Sequence, residues 1–339
     1  MSDVLPARVG LVMGDPCGIS PELMARLLAV PETAQQAAIL VIGDRRVLAE
    51  GEKIAKVSLK LPIVKRAEDA KLAVGQPVFL DLGHLDPSAI TLQKASAEGG
   101  GFAMTNFKHG LELARRGLVD ALCFTPFNKT ALRLAGNPYE DELQLAADVL
   151  QHKGAYGEFN VLEKIWNARV TSHVPLAKVS SLLSVERILN ALRLTHDAMQ
   201  AAGFARPRIA VAALNPHAGD NGNFGREEID IIAPAVEKAK AMQFAVEGPY
   251  PSDTVYLRAR DGKFDAVLSM YHDQGQIAIK LMGFDKGVTV LGGLPIPICT
   301  PAHGTAYEIA GQGVANPEAT RQAFRIACRM GTARRAKAA

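Results

Sequence analysis

The chain has 339 residues, of which 48% are apolar and 22% are charged, and its net charge at neutral pH is +3. This length suits two domains or one large α/β unit with an added lobe, and the composition excludes a disordered or collagen-like chain. The basic residues are spread along the sequence, so no nucleic-acid partner is expected.

Short apolar runs, each stopped by Gly, Asp or Pro, alternate with longer amphipathic segments. The runs predict strands that are buried on both faces of mostly parallel sheets. These strands are expected at residues 9–14, 37–44, 78–83, 121–126, 168–174, 208–216, 266–273 and 287–293. Helices are predicted between them, notably at 102–117, 185–203 (with Ser184 at its start), 226–242 and 317–331. The alternation predicts an α/β fold with helices on both faces.

No repeat or flexible linker divides the chain, so two interleaved lobes are expected. Their approximate extents are 1–130 plus 275–339 for one and 131–274 for the other. The sequence has neither a G-x-G-x-x-G nor a G-x-x-x-x-G-K-[ST] motif, which disfavours a standard Rossmann site and a P-loop.

The sequence gives no reason to expect a membrane or an oxidising compartment. No apolar stretch is long enough to span a bilayer, and the first residues lack a signal-peptide pattern. The four cysteines are far apart, without a C-x-x-C motif, as in a protein with free thiols. We therefore expect a cytoplasmic protein.

Three of the eight histidines follow apolar runs at the predicted carboxyl ends of strands: His173, His217 and His272. Ligands of open α/β sheets bind outside these ends, so the three imidazoles could meet at one divalent metal with an open coordination position. The alternative for each is a histidine with a purely structural role.

Acid, base and anion-binding candidates lie near these histidines in the sequence. Asp253 follows GPYPS, Asp273 follows His272, Lys280 lies on the helix that this strand precedes, and Lys129 follows the strand ending at 126. A lysine beside a metal has a lowered pKa and can transfer a proton near neutral pH. For each of them, the alternative is a solvated surface charge.

The segment HGTAYEIAGQGVANP (303–317) resembles the adenosine-binding loop of isopropylmalate and isocitrate dehydrogenases, which use NAD or NADP without the glycine fingerprint. This resemblance implies a two-lobed fold of the isopropylmalate dehydrogenase type around a central cleft. It also implies that NAD is bound through His303, Gly304, Thr305, Ala306 and Asn316.

Seven motifs in order resemble the 4-hydroxythreonine-4-phosphate dehydrogenase family. They are GDPCGISPE (14–22), TPFNK (125–129), SHVPL (172–176), LNPHAGDNGNFGREE (214–228), GPYPSDT (248–254), MYHDQGQIAIK (270–280) and HGTAYEIAG (303–311). The resemblance implies a divalent metal held by His173, His217 and His272, with zinc as the first expectation and magnesium, manganese or cobalt as the alternatives. It implies NAD, decarboxylation after oxidation, and a homodimer whose metal ligands come from both subunits.

The departures from this family fall at positions expected to contact substrate. Glu142 and Leu143 replace a His-Thr pair, Thr289 replaces an Asn, and Ile298 replaces an Arg, while Lys280 is retained. Loss of the Arg removes a bidentate phosphate donor, and Glu142 would repel a phosphate dianion.

These changes favour a nonphosphorylated substrate, as in related enzymes that oxidise carboxylated cis-dihydrodiols such as the terephthalate dihydrodiol. There, hydride loss gives a β-keto acid, and loss of CO₂ restores an aromatic ring. Lys129 and Asp253 are the candidates for proton transfer, and Lys280 would bind the substrate anion. The alternatives are a 4-hydroxythreonine-4-phosphate dehydrogenase and a noncatalytic protein that binds NAD or a metabolite.

Overall fold

The computed structural model describes residues 5–162 and 165–338. Twelve strands form within these residues: β1 (Arg8–Val12), β2 (Ala38–Gly43), β3 (Ile63–Val64), β4 (Val78–Asp81), β5 (Ala121–Phe124), β6 (Gly157–Leu162), β7 (Ile165–Arg169), β8 (Arg208–Ala212), β9 (Ala245–Tyr250), β10 (Ala266–Ser269), β11 (Val288–Gly292) and β12 (Ile298–Pro301).

The helices occupy most of the sequence between these strands. They are α1 (Ser20–Ala29), α2 (Pro31–Ala34), α3 (Arg45–Ala55), α4 (Ala97–Arg115), α5 (Lys129–Leu134), α6 (Glu142–Val149), α7 (Val179–Leu182), α8 (Val185–Ala201), α9 (Ala233–Ala241), α10 (Ser252–Arg260), α11 (His272–Gly283) and α12 (Glu318–Ala338). Ser184 accepts a hydrogen bond from the backbone N–H of Arg187, as predicted for the start of α8. In the predicted helix 226–242, a π-turn at Glu228–Ile232 precedes α9.

The chain divides into two compact units. The first contains the described residues up to Gly154 and those from Val288 onward, and the second is Ala155–Gly287. The boundaries expected from the sequence were 130/131 and 274/275. They differ because α5 and α6 contribute Leu132 and Leu143 to the apolar core of the first unit, whereas Ile279 of α11 belongs to a core cluster of the second.

The sheet of the first unit has the order β3-β4-β2-β1-β5-β12-β11. Its described pairings are parallel except for β11 with β12. A Cβ on Gly110 of α4 would meet Leu122, and a Cβ on Gly331 of α12 would meet Ala121. Since neighbouring residues of a strand point to opposite faces, α4 and α12 cover opposite faces of this sheet.

The sheet of the second unit has the order β6-β7-β10-β8-β9. β7, β10, β8 and β9 pair in parallel, and β6 pairs antiparallel with β7. Trp166 on β7 is fully buried, with Phe159 and Phe204 as ring neighbours. Because β7, β8 and β10 are parallel, their carboxyl ends lie at one edge of the sheet. His173 and His217 lie in the segments that follow β7 and β8, and His272 begins α11 after β10.

The predicted α/β class is confirmed, with helices on both faces of a mostly parallel sheet. Each predicted strand overlaps an observed one, but the run at 168–174 is shifted because β7 already ends at Arg169. Among the described residues, no helix is both long enough and apolar enough to cross a membrane.

Candidate active site

His173 and His272 are neighbours in the second unit. Their ring centroids are 5.8 Å apart, although His173 follows β7 by a loop and His272 is the first residue of α11. The cause is the pairing of β7 with β10, which continues beyond both strands. The backbone N–H of Thr171 and its hydroxyl both donate to the carbonyl of Met270, at 3.1 and 2.8 Å.

The ring of His272 is oriented by the next residue. Its Nδ1 lies 2.7 Å from Oδ1 of Asp273. An ionised carboxylate can only accept a hydrogen bond, so Nδ1 of the neutral imidazole carries the proton and Nε2 keeps its lone pair. A carboxylate behind an imidazole in this way is a common arrangement at metal ligands.

His217 begins an unusual loop after β8. Five consecutive residues, 217–221, have positive φ angles between 42° and 79°, and only Gly219 among them is a glycine. The left-handed region costs other residues roughly 1–2 kcal/mol each, so this loop must be held by its surroundings.

Glu228 stabilises the segment that leads into this loop. Its side chain is 3% exposed, and its Oε1 accepts hydrogen bonds from the backbone N–H groups of Leu214 and Asn215, at 2.8 and 2.7 Å. Its Oε2 accepts a third from the side-chain amide of Asn215 at 3.0 Å. A Cβ on Gly219 would come within 2.7 Å of the same carboxylate, so this position requires glycine. Sequence reasoning missed this role of Glu228.

The three histidines fit a divalent metal site only in part. Two imidazoles on one tetrahedral zinc, with Zn–N distances of about 2.0–2.1 Å, would have ring centroids roughly 5 Å apart, close to the observed separation of His173 and His272. Within residues 5–162 and 165–338, however, no group of three ligating side chains comes together. The described ring neighbour of His217 is Phe224, with centroids 6.2 Å apart.

Asp253 and Lys280 are also in the second unit, and both are exposed. Asp253 is in the first turn of α10, and Lys280 is in the last turn of α11, the helix that His272 begins. Asp253 therefore lies near the carboxyl edge of the sheet, whereas Lys280 lies about 12 Å further along α11 from His272.

The loop predicted to bind the cofactor is in the first unit. Gly304 is exposed, and a Cβ on it would meet no atom within 4 Å, so its backbone faces open space. Thr305 is 5% exposed, and Ala306 has a φ of 43°. Asn316 accepts a hydrogen bond from the backbone N–H of Glu318 at the start of α12. His303 is half-buried beside Gly304.

Lys129 comes close to this loop through its neighbour Asn128. The Oδ1 of Asn128 accepts a hydrogen bond from the backbone N–H of Ala131 and so caps α5, while its amide donates to the hydroxyl of Thr305 at 3.3 Å. Lys129, the first residue of α5, is exposed directly after this contact. The structure thus brings the start of α5 and the predicted cofactor loop together.

The four departures from the family pattern have different environments. Leu143 and Ile298 are 6% and 0% exposed, in one apolar cluster of the first unit. They were expected to contact substrate, but as they stand they present almost no surface to a ligand, because their apolar side chains pack into the core. Glu142 begins α6, and Thr289 on β11 pairs with Thr300; both are half-buried.

The four cysteines are free and buried. Burial, together with the neighbouring Asp15, raises the pKa of Cys17 to about 12, so the thiolate needed for a nucleophile is disfavoured at neutral pH.

Comparisons with known proteins show similarity along nearly the whole chain. A sequence model of the family described as "Pyridoxal phosphate biosynthetic protein PdxA" matches residues 35–327. A Rhizobium meliloti protein named "Putative 4-hydroxythreonine-4-phosphate dehydrogenase 2" is 57% identical over 331 residues, which cover 98% of this chain and 95% of that protein. The D-threonate 4-phosphate dehydrogenase of Salmonella typhimurium is 37% identical over 326 residues, with coverages of 95% and 98%.

Solved structures show the same similarity. The 4-hydroxythreonine-4-phosphate dehydrogenase of Klebsiella pneumoniae is 34% identical, with a TM-score of 0.85 and coverages of 98% of this chain and 100% of that chain. The terephthalate 1,2-cis-dihydrodiol dehydrogenase of Burkholderia xenovorans is 27% identical, with a TM-score of 0.64 and coverages of 93% and 98%. The more similar of these proteins are named for phosphorylated substrates.

Proposed function

We infer that this chain, which belongs to the PdxA family of pyridoxal phosphate biosynthetic proteins, is a dehydrogenase that oxidises a hydroxyl group of a phosphorylated four-carbon hydroxy acid. The observation that carries this inference is the 57% identity, over nearly the whole chain, to a protein named for 4-hydroxythreonine 4-phosphate. D-threonate 4-phosphate, the substrate named for the Salmonella relative, shares with it a carboxylate, a hydroxyl on the carbon β to that carboxylate and a terminal phosphate, and carries a hydroxyl where 4-hydroxythreonine 4-phosphate carries an amino group.

The sequence favoured a carboxylated cis-dihydrodiol and kept the phosphorylated substrate as the alternative; here the phosphorylated substrate is the one proposed. The four departures from the family pattern pointed to a carboxylated cis-dihydrodiol, but the named dihydrodiol enzyme is less similar than the phosphate-specific ones. The departures also carry less weight in the structure, because Ile298 and Leu143 are buried in the core. A dihydrodiol substrate is therefore disfavoured.

The cofactor of the proposed reaction is NAD, bound against the loop that starts at His303. Gly304 supports this assignment, because its exposed backbone leaves room for close approach of a ligand. In the reaction, a hydride leaves the substrate carbon for NAD, and the hydroxyl proton is transferred to the protein. Lys129 and Asp253 are the proposed proton-transfer groups.

The histidines are proposed to hold a divalent metal. His173 and His272 would present two imidazoles from one subunit, and His217 would complete the set. Such an ion would supply a Lewis acid for the substrate hydroxyl. Oxidation at the carbon β to the carboxylate gives a β-keto acid. In the proposed second step the bond to the carboxylate breaks, CO₂ leaves, the electron pair of that bond forms an enolate, and the enolate takes up a proton to give the ketone.

A homodimer is proposed with this metal site. Within the described residues no group of three ligating side chains comes together; a dimer in which His217 comes from the partner subunit does not require one chain to bring all three ligands together. Phosphate recognition is assigned to Lys280, whose exposed ammonium can donate to an anion, and not to the buried Leu143 and Ile298.

The test is a comparison of matched substrates with the purified protein, a divalent metal and NAD, followed by the absorbance of NADH. We expect 4-hydroxythreonine 4-phosphate or D-threonate 4-phosphate to be oxidised with kcat/KM of about 10⁴ M⁻¹s⁻¹ or more. The dephosphorylated counterparts should be at least about tenfold worse, since each charge-assisted contact contributes roughly 1.5–3 kcal/mol. Preference for a carboxylated cis-dihydrodiol, or no loss on removing the phosphate, would contradict the proposal.

A further inference from the structure

A buried carboxylate in the first unit has no role in the function proposed so far. Asp15, which follows β1, is 0% exposed, and its described hydrogen-bond partners, Cys17 and Tyr307, carry no positive charge. Its Oδ1 accepts a hydrogen bond from the backbone N–H of Cys17 at 2.9 Å. A carboxylate that is buried without a cation is costly, so its position calls for a reason beyond stability.

The second partner of Asp15 comes from the other end of the chain. The hydroxyl of Tyr307 donates to Oδ2 of Asp15 at 2.6 Å, across 292 positions of sequence. Tyr307 directly follows Ala306, whose left-handed backbone is unfavourable for a residue with a side chain. The bond from Tyr307 therefore holds the chain at the point where the cofactor loop is strained.

Backbone contacts fix the same loop from the turn that follows Asp15. The N–H of Ile19 donates to the carbonyl of Thr305 at 3.0 Å. A Cβ on Gly18 would lie 2.5 Å from that carbonyl oxygen, so the approach requires glycine. The loop is thus held at Thr305 and Tyr307, while Gly304 between His303 and Thr305 faces open space.

We propose that Asp15 and Tyr307 are positioning residues, which lock the cofactor loop in the conformation that binds the adenosine part of NAD. Neither residue needs to touch the reacting atoms. Their hydrogen bond would spare NAD the cost of ordering the loop, so it contributes to NAD affinity and not to the chemical step. This inference rests on the proposed function of the loop as the NAD site.

The test is Tyr307→Phe, which removes one hydroxyl and keeps the ring. We expect NAD to bind the metal-loaded protein about tenfold more weakly in a calorimetric titration. At saturating NAD, kcat and the KM for the phosphorylated substrate should stay within about twofold of wild type. Tyr139→Phe is the matched control: it removes another Tyr–Asp hydrogen bond of the same unit, from Tyr139 to Asp148 at 2.5 Å, and should leave NAD affinity unchanged.

Two variants of Asp15 test the same hydrogen bond by changing its acceptor. Asp15→Ala should weaken NAD binding as much as Tyr307→Phe. Asp15→Asn should retain most of the affinity, because its carbonyl can accept from Cys17 and its amide can donate to the hydroxyl oxygen of Tyr307. A general loss of packing would weaken NAD binding in Asp15→Ala alone, whereas loss of the hydrogen bond should also weaken it in Tyr307→Phe, which keeps the ring.

The outcomes separate the positioning role from the proposed function. If Gly304→Val abolishes NAD binding and Tyr307→Phe and Asp15→Ala do not weaken it, the loop is the NAD site and the positioning role is wrong. If the wild-type protein does not bind NAD at all, the proposed function fails together with this inference. A change in kcat with unchanged NAD affinity would also overturn the positioning role.

Discussion

At the scale of single residues, Asp15 makes a prediction about pH. Burial raises the pKa of its carboxyl above the ordinary value of 3.8, and the hydrogen bonds from Tyr307 and Cys17 offset only part of this effect. The folded protein therefore holds the proton more tightly than the unfolded chain. Its free energy of unfolding falls as pH rises from 3.8 through the raised pKa, and the loss stays constant above that range.

Asp15→Asn removes this titration while keeping the size of the side chain. Its free energy of unfolding relative to wild type should therefore increase with pH through the acid range and level off near neutrality. Urea unfolding from about pH 4 to about pH 7 measures the difference. Asp69→Asn, at an exposed carboxylate of the same unit, is the control and should give a smaller slope. A flat difference for Asp15→Asn would be the contrary result.

Residue-scale contacts of this kind were not predictable from the sequence. The bond from Tyr307 to Asp15 joins positions 292 apart, and nothing in the local pattern of either motif indicates the other. The pairing of His173 with His272 could be anticipated, because both follow strands and parallel strands end at the same edge. The burial of Ile298 could not be predicted, because alignment to the family pattern shows which residue it replaces and not which residues surround it.

At the scale of elements, the loop from 214 to 228 carries a prediction about metal binding. Glu228 holds the turn that leads to His217, so Glu228→Gln should weaken metal binding even though the residue is not a ligand. Glutamine keeps one carbonyl acceptor but loses the charge that two backbone N–H groups and Asn215 share. Outer-shell changes typically reduce metal affinity by 10–100-fold.

Competition with a metal chelator, followed by measurement of bound metal, gives this affinity. The matched control is Glu237→Gln, at an exposed carboxylate of α9 in the same unit, which should leave the affinity unchanged. Equal metal affinity in Glu228→Gln and wild type would show that the loop keeps its shape without this carboxylate.

The strands β9 and β12 are among those not predicted from the sequence, and the same physical reason explains both. β12 (Ile298–Pro301) is short and flanked by proline, and β9 (Ala245–Tyr250) is mostly half-buried, so neither forms a long apolar run. The antiparallel turn between β11 and β12 also breaks the strand–helix alternation. By contrast, α8 was predicted to within two residues of its ends, because its cap and its amphipathic pattern are strong local signals. The helices α4 and α12 were predicted in the right place, but α4 begins earlier, at Ala97, and α12 ends later, at Ala338.

At the scale of the whole molecule, the proposed homodimer predicts complementation between inactive variants. His173→Ala and His217→Ala should each be inactive alone. If His217 serves the partner's site, subunits refolded together should recover about a quarter of wild-type activity, because half of the dimers are mixed and each has one intact site. A mixture of His173→Ala and His272→Ala is the control; it should recover nothing, since both ligands come from one subunit. No recovery in either mixture, with dimers present, would contradict shared sites.

The interleaved chain path has a consequence for biosynthesis. β12 pairs with β5, but all of Ala155–Gly287 must be translated between the two strands. At about 5–20 residues per second, the ribosome takes roughly 7–27 s over this stretch. Throughout that time the edge of β5 has no β12 to pair with and α12 is not yet available to cover the sheet, which are conditions that favour association with other chains. The first unit is thus begun first and completed last, so its sheet stays open at β5 until β12 and α12 have been made.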